Sequence, residues 1–221
     1  MADRQPDSAE AKPALRRDAQ RNLEKLTAAA VDVFQVRGLG APLEEIAQRA
    51  GVSIGTLYNR FATREALIDA VIPELVTPRL EAAAEHARAC ADPWEGFVLY
   101  VEEIGEMQAG DPALNDIVSR RFPYTARLME VCDQQIAQTK QLVERAQHHG
   151  SLRPDFVPED LPLLIWSNAA MIHAAGGVRP DIWRRGIRFM LDGLRTDAAP
   201  RPLPVGPMTM DQMHRAMQER G

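Results

Sequence analysis

Between residues 53 and 64 the chain carries Ser53, Gly55, Thr56, Tyr58, Asn59, Arg60 and Arg64, with no acid among them. Hydroxyl, amide and guanidinium groups are the ones that read base edges and grip phosphate. Gly55 has no side chain, so a nucleic-acid backbone or base edge could approach closely there; in a helix it otherwise costs about 1 kcal/mol relative to Ala. Arg64 falls at the start of a helix, where its charge and the free N–H groups can both meet a phosphate. The bland alternatives are a Tyr58 that only packs on Phe61, and arginines that form a solvated face. The position of Arg60 and Arg64 beside a short polar helix argues for contact.

Other residue types offer less. His86, His148, His149 and His173 have no carboxylate or thiol at a tight ligand spacing. His148 and His149 would point about 100° apart on a helix, so no metal site is expected. His173, on an apolar helix, reads first as a hydrogen-bonded core or interface histidine. Cys90 and Cys132 are too few for a disulfide framework and read as small buried residues in a reduced chain. No G-x-S-x-G, phosphate loop or dinucleotide fingerprint occurs, so neither an enzyme nor a bound cofactor is expected.

The elements that must position the polar set are helices. Leu23, Leu26, Ala30 and Val33 recur at helical spacing from Ala14 onward, and Gly38 and Gly40 stop them. Leu43, Ile46, Ala47 and Ala50 give a short second helix behind Pro42, ended by Gly51. Ser53 can cap a third over 54–60, and Thr63 a fourth. Ile46, Val52 and Leu57 are apolar anchors, and small Ala47 lets the two short helices cross closely. This is helix-turn-helix logic. Further amphipathic helices are predicted near 64–90, 93–109, 111–119, 123–149, 158–176 and 180–195, the first broken or kinked by Pro73 and Pro78. The fold class is all-α: a disordered tail over 1–13, a three-helix head over 14–63, an antiparallel helical body over 64–195, then a linker and short terminal helix over 196–221.

Charge distribution agrees. The chain's net charge is −5, yet through Arg64 it holds 10 Lys+Arg against 8 Asp+Glu, which leaves 16 against 23 beyond. A basic head on an acidic body suits contact with DNA at one end. The opening MADRQPDSAEAKP has no apolar stretch, and Leu161 to Val178 is interrupted by Pro162, Ser167, Asn168 and His173. Neither a secretory signal nor a membrane span is expected, and the cytoplasm is the expected compartment.

As a string, GVSIGTLYNRFATREAL resembles the hallmark of the tetracycline-repressor (TetR) family of regulators. There a glycine turn leads to a short recognition helix ending in Leu-Tyr. LEKLTAAAVDVFQVRG resembles that family's first helix, and GSLRPDFVPEDLPLLI, more loosely, the entry to its penultimate helix. The resemblance implies that Tyr58 and Arg64 contact phosphate, and that Ser53, Thr56 and Asn59 face the groove beside Gly55. The chain departs from the family at Ala41-Pro42, where many members cap the second helix with Ser or Thr. It also has Arg64 in place of the usual Lys.

A TetR-like body would also enclose a mainly apolar effector pocket. Its expected walls are Trp94, Phe97, Tyr100, Ile104, Met107, Phe122, Met129 and Trp166, with Asn168 and His173 as polar contacts. The helices near 158–176 and 180–195 would pair with their twins in a homodimer. Leu161, Leu164, Ile165, Ala169, Ile172, Ile187, Met190, Leu191 and Leu194 would meet there, with Ala170, Gly176 and Gly177 allowing close approach. The expected partners are therefore double-stranded DNA, a small hydrophobic molecule and a second copy. The chief rival is an architectural DNA-binding protein with no sensor, and the size of residues 75–195 argues against it. A ligand-binding module without DNA binding is opposed by the acid-free helix.

Overall fold

The computed structural model describes residues 8–119, 125–198 and 202–218. Among these the chain forms α1 (Ser8–Arg37), α2 (Leu43–Ala50), α3 (Ile54–Arg60), α4 (Arg64–Ala89), α5 (Pro93–Gly110), α6 (Pro112–Val118), α7 (Ala126–His148), α8 (Leu161–Ala175), α9 (Ile182–Asp192) and α10 (Met210–Gln218). The all-α expectation holds. A lone bridge between Leu152 and Arg195 is the one β feature among the described residues.

Helix α1 starts at Ser8, six residues before the expected Ala14. The stretch SAEAKPALRR is polar, but Ala, Glu, Lys and Arg are good helix formers. Residues 1–7 of the expected disordered tail lie outside the described part.

Of the break or kink expected in α4, the break does not occur: the helix runs through both Pro73 and Pro78. Proline at 73 cannot donate to the carbonyl of Asp69. Arg127, at the start of α7, supplies that donor: its Nη1 reaches the Asp69 oxygen at 3.1 Å, and its Nη2 pairs with Glu74.

Two apolar clusters fill the molecule. One joins α1, α2 and α3 to the first half of α4, and continues into Ala113, Leu114 and Ile117 of α6 and Leu128 and Val131 of α7. The other joins the second half of α4 to α5, α7, α8 and α9. The packing has no gap at residue 63, so head and body meet through a shared core.

The apolar residues expected to pair with a second copy mostly face inward. Leu161, Leu164, Ala169, Ile187 and Leu191 are buried within the chain. Ile165, Ile172, Met190 and Leu194 are half-buried against the second cluster. The outer side of α8 presents instead Leu163, Ser167, Ala170 and Ala174, and α9 presents Phe189, 62% exposed.

Candidate nucleic-acid interface and its cavity

Gly51 takes the left-handed conformation (φ 69°) and turns the chain out of α2, its N–H bonded back to the last turn. Val52 N–H follows, donating to Ala47 O at 3.0 Å. Ser53 then caps α3, its Oγ accepting from Thr56 N–H at 3.1 Å. The Ser53 and Thr56 hydroxyls also bond each other at 2.9 Å, which fixes both rotamers. Leu57 is fully buried and sets the helix's rotation. That leaves Gly55, Tyr58, Asn59 and Arg60 exposed. Arg60 lies over the Phe61 ring at 6.0 Å. A β-carbon at Gly55 would meet only Ser53 Oγ, at 3.7 Å. Among the described residues no contact explains this glycine.

The N-cap of α2 is Pro42, with no side-chain hydrogen bond, matching the departure seen in the sequence. Arg64 is placed differently from expectation. Its Nη1 turns inward and donates to the carbonyls of Leu39 and Ala41, both at 2.6 Å. It therefore clamps the α1–α2 loop and remains half-buried. Nothing in the sequence marked those carbonyls as its partners.

The same loop is held from the body. Asp116, on α6, accepts from Leu39 N–H at 2.9 Å. Gly38 (φ 76°) lies so near that a β-carbon there would clash with Asp116 Oδ2. A Gly38→Ala substitution is expected to break this contact and cost about 1–3 kcal/mol in thermal unfolding, from positive φ and overpacking together. An unchanged melting temperature would show that the loop tolerates the shift.

Behind α6 lies a cavity of about 100 Å³. Leu80 of α4, Tyr100 and Ile104 of α5, and Leu114 and Val118 of α6 form one side. Val131, Cys132, Gln135 and Ile136 of α7 and Ile165 and Trp166 of α8 form the other. Tyr100, Ile104 and Trp166 were anticipated. Trp94 and Phe97 instead pack at the far end of the body, Phe97 edge-on to Phe156 at 5.7 Å. Met107 sits between the two apolar clusters, and Met129 is half-buried away from the wall. Asn168 stands behind the wall, its Nδ2 donating to Gln108 Oε1 at 2.8 Å. His173 is exposed, beside a separate polar cleft shared with Arg37 and Asn115. Phe122 lies outside the described residues. Gln108, Gln135 and Cys132 were missed, because a polar residue on an amphipathic helix reads as solvent-facing until its neighbours are known.

Among the described residues no cluster of His, Cys, Asp or Glu could hold a metal, and no helix is long and apolar enough to cross a membrane. His86 faces Glu103, and His214 faces Asp133. Burial pushes the Cys132 thiol up to about 12, with the Asp133 charge adding to it. At pH 8 only about one such thiol in ten thousand would be thiolate. Iodoacetamide at that pH is expected to modify Cys90 and spare Cys132, as read by mass spectrometry of tryptic peptides. Equal rates would mean that the Cys132 thiol reaches solvent.

Two family models match the chain. One, described as bacterial regulatory proteins, tetR family, matches residues 26–71. The other, described as the transcriptional regulator SbtR-like C-terminal domain, matches residues 92–196. Among curated proteins, the uncharacterized HTH-type transcriptional regulator YvdT of Bacillus subtilis (strain 168) is 31% identical over 81 residues, 36% of this chain and 42% of that protein. The match thus spans less than half the length of that relative. A solved TetR transcription regulatory protein from Mycobacterium vanbaalenii is 30% identical across 82% of this chain and 99% of its own, with a TM-score of 0.46. The transcriptional regulator FadR from Bacillus subtilis, solved in complex with stearoyl-CoA, is 16% identical across 78% of this chain and 99% of its own, with a TM-score of 0.60. At that identity it shares the fold alone.

Proposed function

The chain belongs to the TetR family of bacterial transcriptional regulators, and from that premise we propose that it is a homodimeric repressor that leaves a palindromic operator when a small hydrophobic effector enters the cavity. The observation that carries this reading is a physical connection. One unbroken helix, α4, leads from the capped and acid-free α3 to the cavity wall at Leu80. A second, α6, offers Leu114 and Val118 to the cavity and Asp116 to the head. A ligand that moves α6 or α4 would move the head with it. A DNA clamp without a sensor would have no use for the cavity.

In this reading Ser53, Thr56 and Asn59 face the groove. Tyr58, Arg60 and the outer edge of Arg64 meet phosphate, and Gly55 admits the DNA backbone. The test is to sequence DNA fragments selected by the purified protein. An inverted repeat is expected, with half-sites about one helical turn or more apart. A random pool after selection would sink the reading.

The second copy is expected on the outer faces of α8 and α9. Leu163, Ser167, Ala170 and Ala174 repeat at spacings of three and four on one stripe, and the three small residues allow helices to approach closely. Phe189 supplies an aromatic anchor of the kind that dominates interfaces. Phe189→Glu is expected to convert a dimer into monomers at micromolar concentration by light scattering. A monomeric wild type, or an undisturbed dimer in the variant, would move the interface elsewhere.

Sensing is a two-state equilibrium in this account. The effector biases it only through unequal affinity for the two states. Operator DNA must then weaken effector binding by the factor with which effector weakens operator binding. FadR from Bacillus subtilis, which shares this fold, was solved in complex with stearoyl-CoA, which is in keeping with a ligand-responsive regulator.

A further inference from the structure

Among the described residues of the cavity wall, one amide leaves hydrogen-bonding capacity unused. Gln108 spends both ends of its amide: Nε2 donates to Ile165 O at 2.9 Å, and Oε1 accepts from Asn168 at 2.8 Å. Gln135 does not. It is 8% exposed, and its Oε1 accepts from the Tyr100 hydroxyl at 3.2 Å, which orients the amide. Thr139 completes the cluster, donating to the Gln135 backbone oxygen at 2.7 Å, with its own oxygen 3.3 Å from that of Tyr100. The Gln135 side-chain nitrogen is left buried with no partner.

A buried N–H without an acceptor costs about 1–3 kcal/mol. Such a group in a cavity wall favours any ligand that supplies the acceptor. The other described residues of the wall are apolar, apart from Tyr100, Gln108 and Cys132. Tyr100 and Gln108 are engaged as above, and the Cys132 thiol holds its proton. None of the described wall residues is charged.

From this we infer that Gln135 is a specificity-determining residue, and that the cavity takes a neutral, compact apolar molecule bearing a carbonyl or ether oxygen, which accepts from Gln135 Nε2. An anion or cation would be buried here against mostly apolar carbon with no opposite charge among the described wall residues, which is unfavourable. The inference rests on the reading of this cavity as the effector site.

The test uses two probes of nearly one shape, cyclohexanone and methylenecyclohexane, each of a size suited to about 100 Å³. The hydrocarbon carries a =CH2 group where the ketone carries its oxygen. Affinities are measured by ligand-observed NMR on the full chain and on Gln135→Leu. Gln135→Met serves as a second variant that keeps the unbranched length, and thermal unfolding checks that each variant folds. Comparing variants with one ligand cancels the difference in ligand hydration. Both substitutions are expected to weaken cyclohexanone about tenfold, the worth of one buried neutral hydrogen bond. They should leave methylenecyclohexane unchanged or tighter.

Equal losses for both probes would overturn the role of Gln135 while leaving the cavity a ligand site. No binding of either probe to wild type would overturn the cavity reading, and this inference with it. Cyclohexanol that binds through Gln135 where cyclohexanone does not would reverse the sense of the hydrogen bond, and so overturn the stated ligand class.

Discussion

Asp111→Ala is expected to lower stability by about 3 kcal/mol, a fall in melting temperature of roughly 6–12 °C for a chain of this length. Asp111 is 3% exposed and serves two elements at once. Its Oδ1 caps α6, accepting from Ala113 N–H at 3.1 Å and Leu114 N–H at 3.3 Å. Its Oδ2 accepts from Arg79 Nη1 on α4 at 2.7 Å. Alanine removes the cap, worth about 1 kcal/mol. It also leaves the Arg79 guanidinium, one third exposed, without its carboxylate. Breaking a fully buried pair costs about 3–5 kcal/mol; partial solvation of Arg79 keeps the total near the lower bound. Asp111→Asn retains an acceptor for the cap and should lose about half as much. Circular dichroism melts decide the matter. A drop of less than about 2 °C for the alanine variant would show that α6 does not depend on this anchor.

That anchor bears on sensing because α6 is only seven residues long. A helix so short has little stability of its own and takes its position from what holds it. Asp111 ties its start to α4, Leu114 and Val118 bound the cavity, and Asp116 reaches the α1–α2 loop. Arg64 grips the same loop from the start of α4. The loop therefore answers to two of the five helices that touch the cavity. Packed elements shift as units because interiors have few voids to absorb a displacement. Pro73 would give α4 a place to bend, and Arg127 is what now holds that place closed.

The turn, α2 and α3 were legible in the sequence almost to the residue, since their signals are local, whereas the start of α1 was not. Gly38 and Gly51 mark left-handed turns, and Ser53 and Thr63 do accept from the N–H groups of Thr56 and Ala66. The body was legible as a series of helices, but its surfaces were not. Helix α8 is apolar on nearly every side, so periodicity cannot say which side meets the core. Leu161 and Leu164 were thus expected outside, and Leu163 turned out to be there. The cavity is assembled from five helices, and no local pattern encodes which of their residues converge. Trp94 and Phe97 drew attention because they are large, yet large side chains fill cores as well as they line pockets. Gln135 gave the opposite error: its importance lies in a bond it fails to make, and a sequence cannot display that. Arg64 combines both cases, with its helix-start position legible and its inward bonds hidden in the tertiary arrangement.

The most discriminating substitution in the head is at Gly55, because stability and DNA binding should move in opposite directions. Gly55 is the second residue of α3, and a β-carbon there has room within the chain. Gly55→Ala should therefore stabilise the fold by about 1 kcal/mol, the ordinary gain of Ala over Gly in a helix. Gly55→Glu should gain comparably, since Glu is a good helix former and its charge suits the first turn. On DNA the same changes are harmful. Ala places a methyl group where the nucleic-acid backbone must approach, and binding should weaken by about tenfold, the effect of roughly 1.4 kcal/mol of misfit. Glu adds a negative charge against phosphate, and such juxtapositions cost several kcal/mol, or at least about a hundredfold. The loss for Glu should extend to unrelated DNA, because the repulsion does not depend on sequence, and the salt dependence should flatten. Fluorescence anisotropy on selected and scrambled duplexes, at two salt concentrations, supplies the binding arm; thermal melts supply the other. Were Gly55→Glu both more stable and undiminished on DNA, α3 would not be the surface that meets the duplex. A variant less stable than wild type would instead mean that Gly55 serves the fold, and the case for an outside partner at that position would lose its footing.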